Sequence, residues 1–320
     1  MSGPRVAWIG LGNIGRGMSQ NIAQKGPQTG PIILYNRTTS RATAHANKLG
    51  ADKATVASTL HDAVAAADLI FTCVGDDPAL TSIVETILAD KTLTLTNKTF
   101  IDCSTVHPDT SRSTEAAYLA RAANFVACPV FGAPNMADAG ALIVVPAGKQ
   151  ASIATLRPFL DGVVAKQTID LAAGTGADID VGKASTMKVI GNTFILNTVG
   201  VLAESLVAAE ASGLGVGPLK EWLDIFAPGA FAKYAERMVG GDYYTREEPL
   251  FAVDLARKDL RHAYSIAEQG GLRMRNVEVT DALLEGVKGE RGEAGDIAAV
   301  YGIVRQRAGL EFECLKEKKE

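Results

Sequence analysis

Short apolar runs alternate with amphipathic segments along the first half of the chain. Most of these runs are apolar at consecutive positions, which is typical of strands that are covered on both faces of a sheet. They predict β-strands at residues 5–10, 32–36, 68–74, 99–104, 125–130 and 142–147. Segments with helical periodicity separate the strands, and one of them, TSRATAHANKLG, ends in the glycine that commonly closes a helix. The alternation predicts a parallel, doubly wound sheet of the α/β class.

The second half shows little except helical periodicity. Its first helix is predicted to run from residue 182 to residue 214, a length of about 45–50 Å. This helix is apolar around most of its circumference, so it should be buried between other elements. Further helices are predicted near residues 217–227, 229–239, 251–270, 276–288 and 295–308, and an exposed loop at residues 240–249.

A stretch of small, flexible residues at 172–182 separates the two patterns. Such a composition is typical of a boundary between domains. We therefore expect a domain of residues 1–178 that contains the doubly wound sheet. An all-α domain of residues 179–320 should follow it and begin with the long helix.

Composition and charge exclude several classes of function. Hydrophobic residues make up 47% of the chain and charged residues 21%, as in a soluble globular protein. The formal net charge of −4, without a long basic run, argues against a nucleic-acid partner. Asparagine and glutamate interrupt the apolar run that follows residue 188, which argues against a membrane span.

The cysteines and the N-terminus indicate the compartment. Cys73, Cys103, Cys128 and Cys314 are far apart and show no spacing of a zinc site. We expect buried thiols in a reducing compartment and no bound metal. A strand begins soon after the N-terminus and leaves no room for a signal peptide. The expectation is a cytoplasmic protein, and removal of an earlier transit peptide stays open.

Three glycines follow the first predicted strand. Gly10, Gly12 and Gly15 have the spacing G-x-G-x-x-G and stand between a buried strand and a helix, which is the context of a dinucleotide-binding turn. In such a turn the first glycine allows the tight bend, the second lets a pyrophosphate approach the backbone, and the third lets helix and strand pack closely. Free amides at the helix start then bind phosphate. The alternative is a glycine-rich βα turn without a ligand.

The end of the second predicted strand indicates which dinucleotide binds. An acidic residue there would accept hydrogen bonds from the ribose of NAD, but the chain has Asn36, Arg37 and Thr38 at this place. Arginine offers fork donors to a phosphate, and threonine adds a hydroxyl. We therefore predict NADP(H) as the cofactor, bound in part by these three residues. The alternative is a solvated Arg37 and a Thr38 that only caps a helix.

Five further segments carry motifs along nearly the whole chain. They are CVGDDPAL at 73–80, IDCSTVHPDT at 101–110, PVFGAPNMADAGAL at 129–142, GKASTMKVIGN at 182–192 and FAVDLARKDLRHAYSIA at 251–267. Together with the opening WIGLGNIGRGMSQNI, they resemble the β-hydroxyacid dehydrogenase family, typified by 3-hydroxyisobutyrate dehydrogenase and related to 6-phosphogluconate dehydrogenase. The family segments read GLGxMGxxMAxNL, a Leu-Pro pair, DxST(V/I)xP, PVSGGxxxAxxGxL, GxxxxxKxxNN and F-x-L-x-x-KD.

The resemblance implies a Rossmann-type NADP-binding domain, an all-α domain for substrate binding and dimerisation, and a homodimer or a tetramer built from dimers. It implies cofactor contacts from Gly10, Leu11, Gly12, Asn13, Ile14, Gly15, Val74, Gly75, Ala79, Thr105 and Lys258. It implies substrate contacts from Ser104, Thr105, Phe131, Gly132, Ala133, Lys188 and Asn192. Lys188 and Asn192 would be catalytic, and Asp259 would support Lys258.

Lys188 has the chemistry that reduction of a carbonyl requires. Hydride addition to the carbon leaves negative charge on the oxygen, which an ammonium group can stabilise and then protonate. Asn192, four positions later, shares a helix face with Lys188, and Ser185, three positions earlier, lies on the same side. The alternative is a lysine whose ammonium reaches solvent from a helix end. Lys183, five positions earlier, serves as the solvated control.

Other candidates have structural alternatives. Ser104 and Thr105 are also placed to cap the helix after Pro108. Lys258 and Asp259 are also consistent with a surface ion pair of little energetic value.

Two positions depart from the family pattern. Phe131, Gly132 and Ala133 stand where the family has Ser-Gly-Gly, so a hydroxyl that binds a carboxylate is replaced by an apolar ring. Gly191 replaces the first asparagine of the Asn-Asn pair, while Asn192 remains. The first change favours a larger or less polar carbonyl substrate and leaves the exact substrate open.

Three functions are weighed on this basis. The leading hypothesis is NADP(H)-dependent interconversion of a β-hydroxy acid or related alcohol and its semialdehyde or carbonyl form, with Lys188 as general acid and base. Imine reductases have a similar architecture but usually lack the family lysine, so Lys188 counts against reduction of C=N and Phe131 mildly favours it. The third hypothesis is a non-catalytic NADP-binding interaction protein, whose relatives typically replace the lysine.

Overall fold

Ten short strands build the first half of the chain in the computed structural model, which describes residues 3–172 and 175–314. Numbered β1 to β10 in chain order, they are Val6–Ile9, Ile32–Tyr35, Ala54–Val56, Leu69–Thr72, Thr99–Asp102, Asn124–Ala127, Val130–Phe131, Leu142–Val144, Ala147–Gly148 and Ala165–Thr168. Seven of them form one sheet in the order β3-β2-β1-β4-β5-β6-β9. Its pairs are parallel except for the antiparallel edge strand β9. The predicted doubly wound sheet is confirmed.

Apolar side chains fill both faces of this sheet. Along β1, Val6 and Trp8 belong to one hydrophobic core, and Ala7 and Ile9 belong to the core on the opposite face. Alternate residues of a strand point to opposite faces, so a strand covered on both sides is apolar at every position. The helices that follow in chain order are α1 Asn13–Lys25, α2 Thr39–Leu49, α3 Leu60–Ala65, α4 Asp77–Ala89, α5 Pro108–Leu119, α6 Pro134–Asp138 and α7 Gln150–Leu160.

Two of the predicted strands are each divided by a proline. The prediction at 125–130 becomes β6 and β7 around Pro129, and that at 142–147 becomes β8 and β9 around Pro146. Proline has no N–H to donate to a ladder, so the chain leaves one sheet there. β7 and β8 pair antiparallel, and β8 pairs parallel with β10 to form a second, three-stranded sheet. The short β3 and the polar β10 were absent from the prediction.

The second half is helical, as predicted. Its helices are α8 Val181–Ala211, α9 Val216–Phe226, α10 Ala230–Val239, α11 Asp242–Thr245, α12 Val253–Gln269, α13 Arg275–Arg291 and α14 Val300–Arg307. The chain divides into two compact units, Met1–Val189 and Ile190–Glu320, so the division falls inside α8. The domain boundary after residue 178 stays a prediction.

The predicted exposed loop at 240–249 is wrong in part, because it contains the short helix α11. Tyr243 is buried there and donates a hydrogen bond from its hydroxyl to the carbonyl oxygen of Phe312. The hydroxyl of Tyr244 donates to the carbonyl oxygen of Cys314 over 2.8 Å. Two aromatic rings bury enough apolar area to hold this segment against the helical core. The C-terminal residues that they bind are too distant in sequence to be seen in a local pattern.

The long helix α8 differs from its prediction in how it is covered. Ile190, Phe194 and Val201 share one face of the helix and are 51%, 64% and 61% exposed. The opposite face contributes Leu196, Val199 and other residues to the core of the second unit. By length and composition alone α8 is able to cross a membrane, a test that the core helix of a soluble protein also passes.

Candidate active site

The glycine turn after β1 has the backbone geometry that a dinucleotide requires. Gly10 has a φ of +94°, and a Cβ there would lie 2.3 Å from the carbonyl oxygen of Cys73. A Cβ on Gly15 would lie 2.3 Å from the carbonyl oxygen of Gly10. Among the described residues, nothing lies within 4 Å of a Cβ built on Gly12. Protein packing therefore requires the outer two glycines, whereas the middle one borders open space among the described residues.

Hydrogen bonds fix this turn against the neighbouring strand. The indole of Trp8 donates to the carbonyl oxygen of Gly10 over 2.7 Å, and the Gly10 amide donates to the carbonyl oxygen of Tyr35 over 3.0 Å. The Leu11 amide donates to Oδ1 of Asn36 over 3.0 Å. The turn and the end of β2 are thus one structural element. It holds together the predicted cofactor residues Gly10, Leu11, Gly12, Asn13, Ile14 and Gly15.

The residues predicted to select NADP(H) follow β2 directly. The side chain of Asn36 also donates to the carbonyl oxygen of Thr38 over 3.0 Å, so its amide is engaged with the backbone at both ends. Arg37 and Thr38 are exposed. Thr38 is the N-cap residue of α2, but its side chain makes no capping hydrogen bond. The side chain of Asn36 therefore holds the turn together, whereas the side chains of Arg37 and Thr38 are exposed next to it.

The ends of β4 and β5 bring a second group of predicted residues together. The Val74 amide donates to the hydroxyl oxygen of the buried Ser104 over 2.9 Å. Thr105 is half-buried beside it, and Gly75 is exposed. Ala79 lies in the first turn of α4. Ser104 therefore holds the loop after β4 in place, a role that the sequence did not indicate.

Ser104 and Thr105 do not cap the following helix. The N-cap residue of α5 is His107, whose Nδ1 accepts from the Asp109 amide over 3.2 Å. The sequence also missed Asp77, whose Oδ1 accepts from the His107 amide over 2.8 Å and from the Thr110 hydroxyl over 2.7 Å. This carboxylate joins the starts of α4 and α5. The signal available in the sequence was the pair of aspartates before a proline, which is typical of a helix start.

Lys188 is buried in the first part of α8. Its Nζ lies 4.5 Å from the centroid of the Phe131 ring. The side chain is 8% exposed, whereas Lys183, one and a half turns earlier, is exposed. The alternative of a lysine that reaches solvent is therefore wrong. Because Phe131 follows β6, the ammonium lies near the sheet edge at which parallel strands end and at which nucleotides bind in such folds.

The rest of the substrate turn is fixed by its backbone. Gly132 has a φ of +142°, and a Cβ there would lie 2.6 Å from a methyl group of Leu142. Ala133 is the N-cap residue of the five-residue helix α6. Phe131 pairs with Ile143 across the strands β7 and β8. The turn is rigid at Gly132, and Phe131 presents a large side chain beside it.

Two polar contacts anchor the start of α8. The hydroxyls of Ser111 and Ser185 are hydrogen-bonded over 2.7 Å, and both residues are buried. Arg112 donates from Nε and Nη2 to Asp180 over 3.1 and 2.9 Å. These bonds hold the pKa of Asp180 below its ordinary value of 3.8. Both contacts join α5 to the segment that positions Lys188.

The second predicted catalytic residue, Asn192, and the predicted cofactor residue Lys258 both contact Asp259 in the second unit. Nδ2 of Asn192 donates to Oδ2 of Asp259 over 2.7 Å. Nζ of Lys258 lies 3.4 Å from Oδ1 of the same carboxylate. Lys258 and Asp259 are 9% and 1% exposed, so the alternative of a surface ion pair is wrong. Asp259 holds both neighbours.

The cysteines are free thiols, and three of them lie in adjacent strand ends. Cys103 and Cys128 are buried, and Cys73 is half-buried. A hydrogen bond with Cys128, together with burial, raises the pKa of the Cys103 thiol well above its ordinary range. A protonated buried thiol is inert. Within residues 3–172 and 175–314, no group of three or more metal-ligating side chains is assembled.

Comparisons with known proteins identify both halves of the chain. Residues 5–173 match the family model of the NAD binding domain of 6-phosphogluconate dehydrogenase. Residues 182–304 match the model described as the NAD-binding domain of NADP-dependent 3-hydroxyisobutyrate dehydrogenase. The chain is 32% identical over 305 residues to an NADH-dependent oxidoreductase of Aspergillus ustus, covering 95% of this chain and 100% of that protein.

Solved structures share the fold. A 3-hydroxyisobutyrate dehydrogenase of Mycobacterium tuberculosis with L-serine superimposes with a TM-score of 0.77 at 22% identity, covering 95% of this chain and 99% of the other. A reductive aminase of Aspergillus terreus, in complex with NADPH4, cyclohexanone and allyl amine, superimposes with a TM-score of 0.53 at 22% identity, covering 93% and 98%.

Proposed function

The chain belongs to the β-hydroxyacid dehydrogenase family and is a nicotinamide-dependent oxidoreductase, and from this premise we propose that it interconverts an alcohol and its carbonyl form with NADP(H), using Lys188 as general acid and base. The observation that carries the proposal is the buried ammonium of Lys188 beside Phe131, a residue that follows β6. The glycine turn follows β1 of the same parallel sheet, so both groups belong to the carboxyl edge at which the cofactor of such folds binds.

The residues present have definite tasks in this reaction. The glycine turn would hold NADPH, which would supply the hydride for the carbonyl carbon. Lys188 stabilises the negative charge that develops on the carbonyl oxygen and gives it a proton. In the oxidative direction the neutral amine accepts the hydroxyl proton. Asn192, one turn later on α8 and held by Asp259, hydrogen-bonds the lysine or the substrate oxygen.

The remaining predicted residues are assigned to binding. The glycine turn holds the pyrophosphate, while Val74, Gly75, Ala79 and Thr105 border the cofactor. Ser104 positions the loop that carries Val74. Lys258 is assigned a contact with the cofactor, as the family resemblance implies.

We assign NADP(H) rather than NAD(H) because the end of β2 has no acidic residue and offers Arg37. The solved reductive aminase is described with a reduced NADP cofactor, which agrees with this assignment. The Aspergillus ustus relative is described as NADH-dependent, which opposes it. The two similar proteins therefore support different cofactors for this chain.

Substitution of the lysine tests the mechanism. Lys188→Met should lower kcat for carbonyl reduction by about 10²–10⁴-fold, because it removes the proton donor. NADPH binding, measured by calorimetry, should stay unchanged. The matched control Lys183→Met alters an exposed lysine on the same helix and should leave both quantities unchanged. Turnover of Lys188→Met at the wild-type rate would refute the assignment of the proton donor.

A second candidate function is reduction of C=N bonds, which Phe131 favours because it replaces the family's polar serine with an apolar ring. The structural likeness to a reductive aminase shows that the fold admits this chemistry in another protein. Oxidation of NADPH in the presence of a ketone and an amine together, but with neither alone, would identify it.

We also propose that a second copy of the chain binds the second unit and that the protein is cytoplasmic. Apolar side chains exposed on α8 and α9 support the first point: Ile190, Phe194, Val201, Trp222, Ile225 and Phe226. An apolar surface of this kind commonly marks a protein interface. Light scattering should give the mass of a dimer or of a tetramer, and Phe226→Glu should lower it. A wild-type monomer would contradict the proposal.

A further inference from the structure

Phe131 lies beside Lys188, the proposed proton donor. Its ring centroid is 4.5 Å from Nζ of Lys188, and the ring also packs against the apolar core on one face of the sheet. An aromatic face attracts an ammonium through its quadrupole but offers no hydrogen-bond donor to an anion. The ring thus shapes the space beside the ammonium as an apolar wall.

The rest of the substrate turn supplies neither a cationic nor a hydroxyl side chain for an anion, and its one side-chain donor is the amide of Asn135. Residues 129–142 contain no serine, threonine, lysine or arginine, and the only charged side chain among them is Asp138. A carboxylate that leaves water needs a cation or several hydrogen bonds to compensate the loss of hydration. If Lys188 serves the carbonyl oxygen, a carboxylate packed on Phe131 receives neither a cation nor a hydroxyl donor from the side chains of this turn.

We propose, on the basis of the function proposed above, that the substrate is an uncharged carbonyl compound whose apolar substituent packs on the ring of Phe131. In this account Phe131 determines specificity by excluding aldehydes and ketones that carry a carboxylate on the short chain attached to the reacting carbonyl. The backbone supports the assignment, because the positive φ of Gly132 and its contact with Leu142 hold the turn in one conformation. A substitution at position 131 should therefore change the side chain that faces the substrate without changing the backbone of the turn.

A matched substrate pair tests this proposal. Succinic semialdehyde and its methyl ester, methyl 4-oxobutanoate, share the same four-carbon chain and the same reacting aldehyde, and the ester replaces the charged carboxylate with an uncharged methyl carboxylate group. We expect the wild-type kcat/KM for the ester to exceed that for the acid by about tenfold or more, the range over which pocket contacts discriminate. Phe131→Ser should lower this ratio by about tenfold or more, since it restores a hydroxyl and removes the wall.

A second variant distinguishes the effect of an apolar side chain at position 131 from the effect of its aromatic ring. Phe131→Leu keeps an apolar side chain, so it should retain the preference for the ester, although it removes the attraction between ring and ammonium. Circular dichroism and NADPH affinity report whether each variant is folded. If Phe131→Ser is unfolded, a loss of ester preference in Phe131→Asn gives the same test.

The outcomes distinguish this proposal from the function on which it rests. A wild-type enzyme that prefers succinic semialdehyde, or a ratio that stays unchanged in folded Phe131→Ser, overturns the substrate assignment and leaves the role of Lys188 intact. Wild-type activity that persists in Lys188→Met refutes the proposed mechanism whichever substrate is preferred. A wild-type enzyme that reduces neither aldehyde overturns both.

Discussion

The glycine turn after β1 and the substrate turn after β6 follow strands of the same sheet, but different constraints fix their residues. In the glycine turn, a Cβ on Gly10 or Gly15 would meet a backbone oxygen at 2.3 Å, so the protein itself forbids other residues. In the substrate turn, Gly132 is constrained by its φ of +142° and by a methyl group of Leu142, which would lie 2.6 Å from a Cβ, whereas no such constraint requires an aromatic ring at Phe131. The comparison separates residues that the fold needs from residues that a ligand selects.

The largest expected effects come from substitutions in the glycine turn, where one glycine is required by the fold and another by the proposed ligand. Gly15→Ala must displace the carbonyl oxygen of Gly10, so we expect a loss of about 1–3 kcal/mol in the free energy of unfolding, together with lost cofactor binding. Gly12→Ala enters open space at an ordinary φ of −69°, so the stability should fall by no more than about 1 kcal/mol. Its affinity for the dinucleotide should still fall by about tenfold or more.

Denaturant unfolding and calorimetric titration with NADPH measure the two effects on the same samples. Wild-type affinity in Gly12→Ala would show that the space above Gly12 is not the pyrophosphate site. Wild-type stability in Gly15→Ala would show that the packing between α1 and β1 is looser than the structure indicates.

A smaller effect is expected where a side chain, rather than the backbone, contacts the cofactor. Arg37→Ala should raise the KM for NADPH by about tenfold, because it removes a charged donor to the 2′-phosphate, and should leave the KM for NADH unchanged. Arg37 is exposed, so the thermal midpoint should not move. The matched control is Arg41→Ala, an exposed arginine one turn into α2. Equal changes for NADPH and NADH would contradict the assignment of NADP(H).

The sequence was sufficient to predict most of the fold because two periodicities dominate it. Strands covered on both faces are apolar throughout, and the amphipathic helices of the second half repeat every three to four residues. The failures have local causes. Pro129 and Pro146 divide two apolar runs that look continuous, and α11 depends on contacts between Tyr243 and Phe312, which are far apart in the chain.

Site residues that depend on local backbone geometry could be predicted from the sequence, whereas those that depend on contacts between distant segments could not. The roles of Gly10 and Gly15 depend on backbone geometry and were readable from spacing alone. The bonds of Ser104 to Val74 and of Asn192 to Asp259 join distant segments, and no local pattern encodes them. Sequence therefore named Ser104 and Asn192 as candidate site residues without revealing which residues they hold in place.

The hydrogen bond between the hydroxyls of Ser111 and Ser185 provides a third case, in which each of two buried side chains requires the other as its partner. Ser111→Ala and Ser185→Ala should each lower the free energy of unfolding by about 1–3 kcal/mol, since each leaves a buried hydroxyl without its partner. The double variant should lose less than the sum of the two. Denaturant unfolding in a double-mutant cycle measures the coupling, and strict additivity would show that the bond contributes nothing.

The smallest expected effect concerns the ion pair beside that anchor. Asp180→Asn should lower the free energy of unfolding by less than about 1 kcal/mol at neutral pH, because Arg112 and Asp180 are partly exposed. The pKa of Asp180 is lower in the folded protein than its ordinary 3.8, so this stabilisation is present above pH 3.8 and disappears as the pH falls through the lowered value. The difference between the thermal midpoints of the two proteins should therefore become smaller as the pH falls below 3.8.

The central claim is that the amine of Lys188 delivers the proton to the substrate oxygen. Single-turnover oxidation of NADPH by Lys188→Ala, with and without added small primary amines, tests it most directly. We expect the rate to fall by about a hundredfold or more and to recover in part as the concentration of amine rises. A wild-type single-turnover rate in Lys188→Ala without added amine would contradict the claim.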